Sequence, residues 1–155
     1  MEPGIRIAHR FEGCHRRARN GMIYPYHDPI GLPTQGWGRL LSREPWADLS
    51  QWPPRTQVTV DKWFEADWRA KKLAVLRLLP GTSLSPNQLG AVVSLVYNIG
   101  IGAFRASTLR RKILQGDHDA AASQFLRWNK AGGRVFAGLT RRRQAEKRLY
   151  EEGVE

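Results

Sequence analysis

Residues 25–38 cannot be helical, and that restriction shapes everything around them. The run Pro25–Gly38, PYHDPIGLPTQGWG, holds three prolines and three glycines in fourteen positions. Proline removes a backbone donor and glycine adds backbone entropy, so a helix there would lose on both counts. The segment reads instead as tight turns joining two or three short strands, with Thr34–Leu41 the best strand candidate. Two acids bracket its first half. Glu12 lies sixteen positions before Asp28, in an otherwise basic stretch. Pro3–Gly13 reads as a first helix, with Pro3 at an early helical position and Ile5, Ala8, Phe11 and Glu12 near one face. That phase puts Glu12 on the inner edge of the helix end, while Asp28 sits in the small sheet. Two carboxylates held on different elements and facing each other suit acid-assisted cleavage of a glycosidic bond.

The chain has 155 residues, enough for one domain with a real core. No run approaches the roughly 20 apolar residues of a membrane span. The N-terminus, MEPGIRIAHRFEG, lacks a basic-then-apolar secretory pattern, so a cytoplasmic chain is expected. Cys14 is the one cysteine, which excludes an internal disulfide and reads as a small, partly buried apolar residue. His9, His15, His27 and His118 are scattered without metal-ligand spacing and read as surface or hydrogen-bonded structural residues. The formal charge of +11 favours a polyanionic partner: nucleic acid, an anionic membrane surface or an acidic wall polymer.

Beyond the glycine- and proline-rich stretch, helices dominate. Thr59 is placed to cap a helix running to about Leu79, stopped by Pro80-Gly81, with Val60, Trp63, Phe64, Leu73, Val75, Leu76 and Leu79 as its buried stripe. Ser85-Pro86-Asn87-Gln88 is a capping box with proline at the first helical position. The helix behind it, Leu89–Asn98, is apolar nearly all round, the mark of a buried central helix, and Gly100 and Gly102 end it. Asp117 or Asp119 begins another helix carrying Ala121, Phe125 and Trp128. Gly132-Gly133 is a turn, and Gly138–Glu152 is a last helix ended by Gly153. Its Arg141-Arg142-Arg143 run reads either as a patch for an anionic surface or as a solvated face balanced by Glu146, Glu151 and Glu152.

Three stretches, in order, resemble the signatures of the phage-type lysozymes, glycoside hydrolase family 24. The first is Phe11-Glu12-Gly13, then Asp28-x5-Thr34, then GWGRLL at 36–41. It carries an insertion within Arg16–Tyr24, and Arg39 stands where many members have histidine. The second is QLGAVVSLVYNIGIGAFRASTL, and the third is RWNKAGGRVFAGLTRRRQAEKRLY. The resemblance covers about Phe11 to Tyr150.

It implies an α+β, mainly helical, lysozyme-like fold: a small antiparallel sheet lobe at about residues 14–58 and a larger helical lobe in one domain. Glu12, Asp28 and Thr34 would form the catalytic trio, and Leu40, Tyr97, Asn98 and Thr108 would touch saccharide. The expected activity is an endolysin muramidase acting on peptidoglycan glycan strands, with no metal or cofactor and as a monomer. An endolysin without an export signal would depend on a holin to leave the host cytoplasm. In the Ser42–Gln57 loop, Trp46 and Trp52 either stack on sugar rings or pin the loop to the core. Two other classes stay in view: a non-catalytic cationic module binding cell wall or lipopolysaccharide, and a nucleic-acid binder suggested by charge alone. No recognised nucleic-acid motif supports the latter.

Overall fold

The computed structural model describes residues 1–152, so the proposed helix stop at Gly153 lies outside the described residues. The secondary structure is mainly α, with a three-stranded antiparallel sheet and a separate two-stranded one. The chain forms two compact units, Glu12–Asp67 and Met1–Phe11 with Trp68 onward, and crosses between them inside its first and second long helices.

The unit Glu12–Asp67 contains the sheet. Helix α1 is Ile5–Glu12, shorter than the expected Pro3–Gly13. Gly4 and Gly13 take φ of 92° and 69°, left-handed values that end a helix on either side and leave Glu12 as its last residue. Strands β1 (Tyr26–His27), β2 (Pro33–Gln35) and β3 (Arg39–Leu40) follow. Tyr26 pairs with Thr34, and Thr34 with Leu40. The expected strand Thr34–Leu41 is thus two strands folded back on each other. Gly36 and Gly38, at φ 66° and 91°, make the turn between them. A Cβ on Gly36 would stand 2.7 Å from Val60 Cβ, so only glycine lets the turn close against the following helix.

Helix α2 (Gln57–Leu78) begins two residues before the expected cap. Thr56, not Thr59, does the capping: its Oγ1 accepts from Thr59 N at 3.1 Å. The expected stripe is only partly right. Val60, Phe64, Val75 and Leu79 are buried, but Leu73 and Leu76 are exposed, and the buried Trp68 takes a place the periodicity missed.

The helical unit is built around α3 (Pro86–Ile99), whose capping box forms as expected: Ser85 Oγ accepts from Gln88 N, and Gln88 Oε1 from Ser85 N. Ala91, Val92, Val93, Leu95 and Val96 are fully buried. Gly100 ends the helix, whereas Gly102 lies inside α4 (Ile101–Arg105). Helices α5 (Thr108–Leu114) and α6 (His118–Gln124, capped by Asp117) come next, then a 3-10 turn at Phe125–Arg127. Trp128 therefore falls beyond α6. The Gly132-Gly133 turn is the tip of a hairpin, β4 (Lys130–Ala131) and β5 (Arg134–Val135). Helix α7 (Ala137–Glu152) packs along α3.

Both expected readings of Arg141-Arg142-Arg143 fail at their last two members. Arg142 and Arg143 are 2% and 0% exposed. Glu146, also buried, stands 3.2 Å from Arg142 Nε and 2.7 Å from Arg143 Nε, and its Oε2 accepts from Ser94 Oγ at 2.6 Å. Burial pushes the Glu146 carboxyl up, and the two guanidiniums and the hydroxyl pull it down. Periodicity could not separate this buried ion cluster from a solvated face, because both place charges at i, i+3 and i+4.

Candidate active site

Glu12 is the last residue of α1, and the left-handed Gly13 turns the chain away behind it. The carbonyl of Glu12 accepts from His15 Nε2 at 2.9 Å. Its carboxylate lies against the β2–β3 turn: a Cβ on Gly38 would stand 2.9 Å from Glu12 Oε2. The glycine is needed there twice over, for its φ and for the space the carboxylate occupies.

Asp28 occupies the loop between β1 and β2, and the loop is built on it. Its Oδ1 accepts from Ile30 N at 3.0 Å and from Leu32 N at 2.8 Å. Its own N–H donates to Leu32 O at 3.0 Å, and its carbonyl accepts from Gly31 N at 2.9 Å. This is the local side-chain-to-backbone bonding that makes aspartate a turn former. It occupies one carboxylate oxygen, Oδ1.

Thr34 is buried at 6% exposure on the central strand. Its hydroxyl donates to Leu32 O at 2.9 Å, which leaves its oxygen lone pairs as acceptors. Leu32 thus bonds Asp28 through its N–H and Thr34 through its carbonyl, coupling the positions of the two residues. Leu40 faces Thr34 in register and is 42% exposed.

Tyr26, which sequence reasoning left out, joins the group. It pairs with Thr34 across β1 and β2, and its ring meets His15 edge-on at 5.5 Å. Its phenol is pushed up to about 12, first by burial and then by the negative charges of Glu12 and Asp28. Both carboxylates thus act on one phenol through their charge. The available signal was period two: Tyr26, Asp28 and Thr34 follow strand alternation once the turn at 29–32 is allowed for.

Cys14 lies in the same unit, its Sγ 4.0 Å from Gln57 Oε1. Gln57 Nε2 donates to Asp61 Oδ1 at 2.8 Å, which also accepts from Trp37 Nε1 at 2.7 Å. Arg17 also bonds Gln57. Burial raises the Cys14 thiol, as expected of a partly buried apolar residue. Arg39 lies over the Trp63 ring at 4.7 Å and 3.9 Å from Asp67.

The other expected contact residues belong to the helical unit. Tyr97 is in the last turn of α3, with its ring 4.8 Å from Lys71 Nζ. Asn98 is exposed beside it. Thr108 opens α5, and its Oγ1 accepts from Arg111 Nη2 at 2.8 Å. Among the described residues no group of three histidine, cysteine or acidic side chains is arranged to hold a metal ion.

Residues 9–146 match the family model described as phage lysozyme. An endolysin of Acyrthosiphon pisum secondary endosymbiont phage 1 is 34% identical over 154 residues, covering 97% of this chain and 96% of its own length. An endolysin of Bacillus phage PZA is 33% identical over 99% of this chain, but the chain spans only 55% of that relative. Among solved structures, the muramidase domain of SpmX from Asticaccaulis excentricus superposes with a TM-score of 0.76 at 30% identity, covering 95% of this chain and 93% of that one.

Proposed function

The chain belongs to the phage lysozyme family, and from that premise we propose that it is an endolysin muramidase. It hydrolyses the β-1,4 bond between N-acetylmuramic acid and N-acetylglucosamine in peptidoglycan. The observation that carries this reading is the cluster in the sheet unit: Glu12 Oε2 against Gly38, Asp28 held by its loop, and Tyr26 sensing both charges.

In this reading Glu12 gives its proton to the glycosidic oxygen as the bond from C1 to that oxygen breaks. Positive charge develops at C1 and the ring oxygen, and the Asp28 carboxylate stabilises it. A water held by Asp28 Oδ2 and by the Thr34 oxygen attacks C1, with its proton passing to the Asp28 carboxylate. One water is consumed, and the anomeric configuration inverts. The Thr34 hydroxyl already donates to Leu32, so the water must donate to Thr34 rather than accept from it. Leu40 of the sheet unit contacts saccharide in the same scheme, and Tyr97, Asn98 and Thr108 are proposed separately as saccharide contacts of the helical unit.

The protein acts as a monomer, attracted to the anionic envelope by its +11 charge. It is made in a host cytoplasm and reaches the wall once a holin opens the membrane. Among the described residues no helix is long and apolar enough to cross a membrane.

The test is the identity of the new ends. Peptidoglycan digested with the protein and reduced with borohydride should yield muramitol in proportion to the loss of turbidity, without new free amino groups. Reduced glucosamine ends would make it a glucosaminidase, and new amines without new reducing ends would make it an amidase or peptidase. Either result contradicts the reading.

A further inference from the structure

The loop after β3 carries an aromatic side chain in an unusual position. Trp46 has φ 60°, and among the described residues only Arg16 shares a left-handed backbone without being glycine. A bulky residue is strained there, and such strain concentrates where a side chain is held for a task. Trp46 is also 66% exposed, far more than a core tryptophan. The next residue does the anchoring: Ala47 is 6% exposed, and its carbonyl accepts from His27 Nε2 at 2.8 Å. The loop is therefore pinned beside the indole, not by burying it.

The indole has a fixed seat on the Asp28 loop. Trp46 N donates to Gly31 O at 2.7 Å, and Gly31 N donates to the carbonyl of Asp28. A Cβ on Gly31 would stand 2.4 Å from Trp46 Cε2, so the ring lies directly on the glycine. The His27 imidazole supports it at 5.2 Å. The result is a flat, rigid, largely solvent-facing ring attached to the loop that presents Asp28. Ile30, in that loop, is 70% exposed and adds apolar surface.

We propose that Trp46 is a saccharide-stacking subsite, taking an N-acetylhexosamine ring of the glycan strand beyond the two sugars at the cleaved bond. A pyranose presents a face of C–H groups that covers an indole well, while its hydroxyls and acetamido group stay in water. A platform already fixed on Gly31 and His27 loses little side-chain entropy when sugar lands on it. The proposal rests on the muramidase reading and adds to it a binding position outside the catalytic group.

The experiment compares wild type, Trp46→Gly and Trp46→Phe on glycan strands freed of stem peptides, measuring KM, kcat and Tm. Glycine suits the left-handed backbone, so Trp46→Gly removes the ring without adding strain. The expected result is a KM raised about tenfold in Trp46→Gly with kcat within about twofold and Tm within a few degrees, and a much smaller KM change in Trp46→Phe. An active wild type with unchanged KM in Trp46→Gly overturns the subsite. So does a joint fall of kcat and Tm at constant KM, which would make the indole a structural pin. A wild type that releases no reducing ends instead sinks the muramidase reading. Co-sedimentation with the same strands then decides the subsite, and equal retention of wild type and Trp46→Gly overturns it.

Discussion

Asp28 holds its loop through one oxygen, Oδ1, which accepts from Ile30 N and Leu32 N, and the proposed mechanism assigns the chemistry to the other, Oδ2. Asp28→Ala should therefore lose activity and also about 1–2 kcal/mol of stability, since two backbone donors lose their acceptor. Asp28→Asn should lose activity while keeping most of the stability, because an amide oxygen still accepts. Activity assays beside urea titrations separate the two effects. Tyr26 gives a pH signature. Its phenol is raised from 10.0 to about 12 in the folded protein, so between those values the unfolded chain gives up a proton that the folded one keeps. Stability from this group is intact below about pH 10 and falls as pH climbs towards 12. In Tyr26→Phe that part of the alkaline decline in Tm should vanish, and an unchanged decline would contradict the assignment. Glu12, Asp28 and Thr34 were named as candidates from the sequence because two acids on different elements suit acid chemistry and the Asp28-x5-Thr34 spacing resembles the family's, and the structure sets all three in the sheet unit. Tyr26 was not named, because a tyrosine in a short strand carries no sign of which charges it will neighbour.

At the scale of elements, glycines and caps decide the outcome. The capping box at Ser85 was readable because both of its hydrogen bonds are local. Ser85→Ala should cost about 1 kcal/mol, measured as a shift in the denaturation midpoint. The split of Thr34–Leu41 into β2 and β3 was less legible, because alternation continues through a tight turn and only Gly36 and Gly38 betray it. Gly38→Ala should reduce lysis sharply: it strains a backbone at φ 91° and drives a methyl to 2.9 Å from Glu12 Oε2. Full activity in that variant would mean the carboxylate does not sit on this turn during catalysis. The start of α2 was misplaced because Thr56 and Thr59 are both threonines at a helix start, and only the geometry shows which one accepts.

Across the whole molecule, the sequence revealed how much charge there is but not where it lies. Of the three arginines at 141–143, two are spent inside the helical unit on Glu146, Ser94 O and Trp128 O. Glu146→Ala should destabilise the protein by about 3–5 kcal/mol, because it strands two buried guanidiniums. A shift of only a few tenths would show the cluster to be solvated. The central claim for the molecule is a glycosidase that depends on Glu12. The direct measurement is turbidity clearance of purified, outer-membrane-stripped Gram-negative peptidoglycan by wild type and Glu12→Gln, with new reducing ends counted and circular dichroism recorded on both. The account predicts clearance with new reducing ends for the wild type alone and the same folded spectrum for the two proteins. Equal clearance by both, or none by either, would contradict it and favour a cationic wall-binding module.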